Sequence, residues 1–279
     1  MAELVSHEIT VDEVLQRYHV AGEGPVLLVH SGGPGIHWEY LRMPVLEEQF
    51  TTVYVEPVGT GKSGLLPDGR YTMPRYASFA AAIAREFGPK VSFLGHSHGG
   101  MVGLQLAHDH PELLNGLVLY DAAPTSGADL LAERLLQTDE WAKRRAGDPN
   151  VPAVLAAFER PPTDKASFLT YLAGILPIYF ADFEVIKESL TEWMTALDLT
   201  YDANRQPDAW DIRPDLPAIA APTLVLVGEY DFICGPRWAR EMAEAIPGAK
   251  LTEFANAGHF GHLEVPELFF PAVTRFVSG

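Results

Sequence analysis

Short, nearly uninterrupted apolar runs recur along the chain at Val26–Val29, Thr52–Val55, Val91–Leu94, Leu117–Tyr120 and Leu224–Val227. Runs this short and this rich in Val and Leu predict strands buried on both faces. A last strand is expected near Lys250–Phe254, and the opening stretch from His7–Val11 to Arg17–Val20 reads as an antiparallel hairpin. Helical patterns lie between the runs, as at Met101–Ala107, which stops before Pro111. This alternation predicts an α/β fold, a mostly parallel sheet flanked by helices.

The alternation breaks once. Between Asp121-Ala122-Ala123-Pro124 and the strand at Leu224 the pattern is helical, with no convincing strand. The interval carries Trp141, Tyr171, Tyr179, Phe180, Trp193 and Trp210. It is far too long for a structureless loop in a compact domain. We therefore expect an inserted helical cap over 124–213, with a core domain formed by 1–123 and 214–279.

Composition narrows the function. Of the 279 residues 47% are hydrophobic and 20% charged, the balance of a globular protein with a substantial core. The net charge of -17 opposes phosphate backbones and anionic lipid, so nucleic-acid and membrane partners are not expected. A small-molecule substrate is the remaining partner. Cys234 is the single cysteine, which precludes an intrachain disulfide and a cysteine-based metal site. The stretch Met1–Glu8 has neither a basic start nor an apolar run, so no signal peptide is expected and a cytoplasmic location is the default.

Gly95-His96-Ser97-His98-Gly99 matches G-x-S-x-G, with a strand running in and a helix running out. Such a serine sits on a sharp, strained turn, and Gly95, Gly99 and Gly100 remove the Cβ atoms that would clash there. His30-Ser31-Gly32-Gly33-Pro34-Gly35 follows the strand at Val26–Val29, where a turning backbone can aim an N–H at a tetrahedral oxyanion. The second donor expected is the N–H of His98. Gly258-His259 follows the last strand and supplies the general base, with His262 as the rival, expected to open the next helix or to face solvent. Asp231, after the Leu224 strand, is the expected acid, and Asp121, after the preceding strand, the alternative.

Two other motifs are set aside. Gly59-Thr60-Gly61-Lys62-Ser63 ends like a phosphate-binding loop, but Glu56 stands where that loop needs glycine, and a carboxylate repels phosphate. His96, His98, His108 and His110 lack the paired spacing of a metal site.

On these motifs the chain resembles the α/β-hydrolase superfamily along nearly its whole length, and within it the proline iminopeptidase group. The resemblance rests on Gly32-Gly33-Pro34-Gly35, Gly59–Ser63, Gly95–Gly99, Gly228-Glu229-Tyr230-Asp231 and Gly258-His259. It implies a triad of Ser97, Asp231 and His259, oxyanion donors at Gly33 and His98, a helical cap, and no cofactor. Three positions depart from the group's pattern. Ser31 replaces its histidine, Glu56-Pro57 its Asp-Gln pair, and Phe232 the acidic residue that would hold a substrate ammonium. Substrate contacts are expected at Phe232, Glu229, Trp193 and Tyr179, with Glu188 and Glu192 as further acids. The reading is hydrolysis of an ester or amide of a small substrate, by an enzyme that tolerates or prefers substrates lacking a free amine. Esterase or lactonase chemistry and carbon–carbon bond hydrolysis stand beside aminopeptidase chemistry, with a non-hydrolytic binder or lyase behind them.

Overall fold

The computed structural model describes residues 2–206 and 208–279, with the side chains of Glu192 and Ala196 outside the description. Every apolar run forms a strand: β1 (Val5–Val11), β2 (Val14–Ala21), β3 (Val26–His30), β4 (Thr51–Glu56), β5 (Val91–His96), β6 (Leu114–Tyr120), β7 (Thr223–Gly228) and β8 (Lys250–Phe254). Among the described residues these eight make one sheet in the order β1-β2-β4-β3-β5-β6-β7-β8. The first hairpin pairs antiparallel, as does β2 with β4, and the remaining pairings are parallel.

Side chains alternate across a strand, so each central strand feeds two cores. Leu28, Val53, Phe93, Leu117 and Val225 enter one; Leu27, Tyr54, Leu94, Val118 and Leu224 enter the other. The helices outside the long interval are α1 (Pro44–Glu47), α2 (Met73–Glu86), α3 (His98–Asp109), α9 (Pro236–Ala245), α10 (Gly261–Glu264) and α11 (Pro266–Val277). Proline opens α1, α9 and α11, where its missing N–H has no intrahelical partner to lose.

Between β6 and β7 the chain forms α4 (Ala128–Arg144), α5 (Asn150–Phe158), α6 (Lys165–Ile175), α7 (Phe183–Ile186) and α8 (Thr191–Ala196). Helices α4, α5 and α6 share a third apolar cluster, with Trp141, Val154, Leu172, Ile175, Ile178 and Leu199 at its centre, whereas Phe183 and Ile186 of α7 and Trp193 of α8 pack against the second. An isolated bridge Ile36↔Leu199 ties the interval to the rest of the chain, and another, Thr125↔Asp211, joins the interval's two ends. No helix among the described residues is long and apolar enough to cross a membrane. Because β4 and β5 lie on opposite sides of β3, a crevice opens at the carboxyl ends of β3 and β5, where open α/β sheets place their ligands.

Candidate active site

Strand β5 ends at His96 and α3 begins at His98, so Ser97 alone makes the turn. Its backbone is held at φ 55 and ψ -120, a region that side-chain-bearing residues seldom enter. The strain is fixed from both sides: Ser97 N–H donates to the Tyr120 carbonyl at 2.9 Å, and its own carbonyl accepts from Gly100 N–H at 2.9 Å. The glycine spacing has the steric origin expected of it. A Cβ on Gly95 would lie 2.1 Å from the Gly99 carbonyl oxygen, and one on Gly99 would lie 2.2 Å from that of His30.

Asp231 follows β7 and is fully enclosed. One carboxylate oxygen accepts from the N–H groups of Ile233 and Cys234 at 2.9 and 3.1 Å. The other lies 2.8 Å from His259 Nδ1. A carboxylate only accepts, so Nδ1 carries the proton and Nε2 keeps its lone pair. Ser97 and His259 line the same cavity, of about 290 Å³. No hydrogen bond joins the serine hydroxyl to His259 Nε2 among the described residues, and the buried Cys234 lines the same cavity.

The two rivals lie close by but make other contacts. Asp121 is buried at φ 46, and its Oδ1 accepts from Gly228 N–H at 2.9 Å. Burial, reinforced by the neighbouring Asp231 carboxylate, holds the Asp121 carboxyl well above the usual carboxylate range. His262 does sit in α10 but does not face solvent: it is 4% exposed. Its Nδ1 accepts from the Tyr120 hydroxyl at 2.9 Å, and burial pushes it down to about 3. The run that follows Gly258-His259 is apolar, and that is why it turns inward (Phe260 and Leu263 pack in the second core).

The His259 loop is clamped to the segment before α7. His259 N–H donates to the Tyr179 carbonyl at 2.7 Å, an approach that a Cβ on Gly258, 2.3 Å from that same oxygen, would block. Glu264 accepts from Gly258 N–H with one oxygen at 2.6 Å and from Ala181 N–H with the other at 2.7 Å. Burial pushes the Glu264 carboxyl up to about 7 from an ordinary 4.5. The folded state therefore holds this proton more tightly than the unfolded chain does. The resulting stabilisation is complete below about 4.5 and is lost as pH rises through about 7. We expect the urea midpoint of the wild type to fall across that window more steeply than that of Glu264→Gln, while the Asp121 contribution, of the same sign, is common to both. Equal slopes would contradict this account of Glu264.

The N–H groups of Gly33 and His98 both border the cavity, and neither donates to another group among the described residues. Gly32 N–H is engaged with the Tyr40 hydroxyl at 2.7 Å. The remaining wall is apolar, with Ile36, Met101, Leu172, Leu176, Trp193, Leu197, Ile233 and Phe260 prominent. Tyr179 and Trp193 reach the cavity as expected. Phe232 and Glu229 do not. Phe232 is 2% exposed inside the third apolar cluster, its ring edge-on to Tyr179 at 5.1 Å. Glu229 is exposed and receives Asn256 N–H on the outer surface, and Glu188 is also exposed. The side chain of Glu192 lies outside the described residues.

The phosphate-loop likeness has a local explanation. Glu56 Oε1 accepts from the N–H groups of Lys62 and Ser63, so an internal carboxylate fills the cradle an anion would need. A similar argument disposes of the one potential metal cluster among the described residues. His96, Asp121 and His259 bring donor atoms within 4.8 Å of one another. Both His96 nitrogens are hydrogen-bonded and His259 Nδ1 faces Asp231, which leaves no convergent set of three free lone pairs.

Tyr40, His96 and Glu264 were not singled out from the sequence as parts of this site. His96 stands inside the serine motif, a signal that could have prompted the question. Tyr40 and Glu264 act through backbone contacts that no local pattern announces.

A family model described as the alpha/beta hydrolase fold matches residues 25–266. The chain is 30% identical over 236 residues to a putative carbamate hydrolase, RutD, from Serratia proteamaculans (strain 568), covering 84% of this chain and 83% of that protein. It is 26% identical over 293 residues to the 2-hydroxy-6-oxo-6-(2'-aminophenyl)hexa-2,4-dienoic acid hydrolase of Metapseudomonas resinovorans, covering 98% and 91%. Among solved structures, the esterase RhEst1 from Rhodococcus sp. ECU1013 superposes with a TM-score of 0.77 at 20% identity, covering 100% of this chain and 99% of that one.

Proposed function

We propose, on the premise that this chain belongs to the α/β-hydrolase family, that it is a serine hydrolase acting on a small, uncharged ester or lactone through an acyl-enzyme. One observation carries the reading: a serine held at φ 55 borders the same cavity as a histidine whose Nδ1 is locked onto a buried aspartate at 2.8 Å. In this reading Ser97 Oγ turns toward His259 and adds to the substrate carbonyl carbon as Nε2 takes its proton. The oxyanion that forms is met by the N–H groups of Gly33 and His98. Collapse breaks the carbon–oxygen bond, and the imidazolium returns its proton to the leaving alkoxide. Water then repeats the sequence on the acyl-serine and frees the acid. Residues 124–213 serve as a cap, supplying Leu172, Leu176, Tyr179, Trp193 and Leu197 to the wall.

The wall also supports the substrate class. Among the described residues bordering the cavity none is Asp, Glu, Lys or Arg. His98, which does border it, is pushed down to about 3 by burial. A fixed charge on the substrate would lie unpaired there, and burying an unpaired ion is strongly unfavourable. This weighs against the ammonium of an aminoacyl substrate, and so against the proline iminopeptidase reading, which the relatives named above do not support either. It weighs equally against the carboxylate of a dienoic acid such as the Metapseudomonas enzyme is named for. The Tyr179 hydroxyl, also without a partner among the described hydrogen bonds, suits one acceptor on the substrate.

The test is kcat/KM for matched phenyl esters of an amino acid with free and acetylated amines, run beside aminoacyl-nitroanilides and lactones. The acetylated ester should match or exceed the free amine. A hundredfold preference for the free amine, about 2.7 kcal/mol of differential transition-state binding, would overturn the substrate class.

A further inference from the structure

Tyr40 lies in a short 3₁₀ turn, Trp38–Leu41, well away in sequence from the serine and histidine motifs. Its hydroxyl nevertheless joins three of the pieces from which the site is built. It receives Gly32 N–H at 2.7 Å and lies 2.8 Å from His96 Nδ1. On the far side of the ring, His96 Nε2 lies 2.9 Å from the carbonyl oxygen of His259. Tyr40 is 5% exposed and His96 1%.

The chemistry of each group leaves one arrangement of protons. A peptide N–H only donates, so the Tyr40 oxygen accepts from Gly32. A peptide carbonyl only accepts, so His96 carries its proton on Nε2. His96 Nδ1 is then an acceptor, and the Tyr40 O–H points to it. The chain runs in one direction, from Gly32 N–H through Tyr40 and His96 to the His259 carbonyl, with every proton used. Burial holds His96 well below the ordinary histidine range, which keeps it neutral and the chain intact. At its other end Tyr40 is anchored through its main chain, where the carbonyl accepts from Trp193 Nε1–H of α8 at 2.8 Å.

We infer that the Tyr40 hydroxyl and the His96 imidazole are positioning groups for the reaction, fixing the Gly32–Gly33 loop, the Ser97 turn and the His259 loop relative to one another through a single directed hydrogen-bond chain. The inference rests on the serine-hydrolase reading above. Occupying Gly32 N–H also has a consequence for the chemistry: it turns the next N–H, that of Gly33, into the loop's available donor. The Trp193 contact ties α8, whose tryptophan forms part of the cavity wall, to the same tyrosine.

Tyr40→Phe and His96→Asn test this. The first removes the hydroxyl and little else. The second keeps an acceptor at the δ position for Tyr40 but loses the donor to the His259 carbonyl. Hydrolysis of p-nitrophenyl butyrate would be measured per active site, counted by labelling with a fluorophosphonate, beside melting temperatures. Each variant should lose about 10- to 100-fold in kcat with KM changed less than about threefold, the scale of small misplacements of reacting groups. The double variant should be no worse than the worse single one, because either change breaks the same chain. Should Tyr40→Phe fail to fold, His96→Asn alone carries the readout. A kcat per labelled site within about twofold of wild type, with only the melting temperature lowered, would make the chain merely structural and overturn the inference. Multiplicative losses in the double variant would overturn it too. A wild type that neither labels nor hydrolyses any ester would instead sink the serine-hydrolase reading on which it stands.

Discussion

Ser97→Ala is expected to lower turnover by about 10⁶-fold, the scale of losing the nucleophile of a working triad. The fold should be indifferent to the change. The turn at Ser97 is held by main-chain bonds to Tyr120 and Gly100, which alanine retains, and by glycines that leave room for it. Activity should collapse while the melting temperature moves little, and that separation is the signature of a residue acting in chemistry rather than packing. Retention of most activity on the true substrate would remove Ser97 from the mechanism.

Asp231→Asn should cost about 10⁴-fold in turnover with the structure unchanged, because it selects the wrong histidine tautomer. The surroundings dictate which way the amide must point. One oxygen position faces two donors, the N–H groups of Ile233 and Cys234. The amide oxygen must go there, which presents the amide NH₂ to His259 Nδ1. That nitrogen then accepts, the proton moves to Nε2, and the base has no lone pair for the serine. Asp121→Asn should cost less than about tenfold, since an amide keeps the acceptor toward Gly228 N–H and Asp121 does not contact His259 Nδ1. Asparagine also tolerates the positive φ at this position. Measuring kcat for both variants decides between the two acids, and a reversed ranking would move the functional acid to Asp121.

The strands and the candidate site could be read from the sequence for the same reason: both are local. A strand buried on both faces must be almost wholly apolar, so Val26–Val29 and Leu224–Val227 were recognisable without knowledge of their neighbours. The serine turn needs glycine where no Cβ fits, so Gly95 and Gly99 stand out in sequence. What failed to show was decided by distant partners. His262 looked free to meet solvent because nothing nearby reveals that Tyr120, which approaches from β6, encloses it. Phe232 stood where an acid was expected at the substrate, yet its ring packs with α5 and Tyr179 in a core that the long helical interval builds for itself. Glu229, two residues before Asp231, points outward from the end of β7, away from the cavity. Tyr40 and Glu264 hold the site through main-chain N–H groups, which every sequence carries alike.

The most direct test of the central claim is to locate the covalent bond. Wild-type protein treated with a fluorophosphonate and digested should yield one adduct, carried by the peptide containing Gly95-His96-Ser97-His98-Gly99 and fragmenting at Ser97. The adduct should be absent from Ser97→Ala and strongly slowed in Asp231→Asn. Hydrolysis of the substrate without any adduct, or an adduct on another residue with Ser97 untouched, would contradict the claim that Ser97 is the nucleophile.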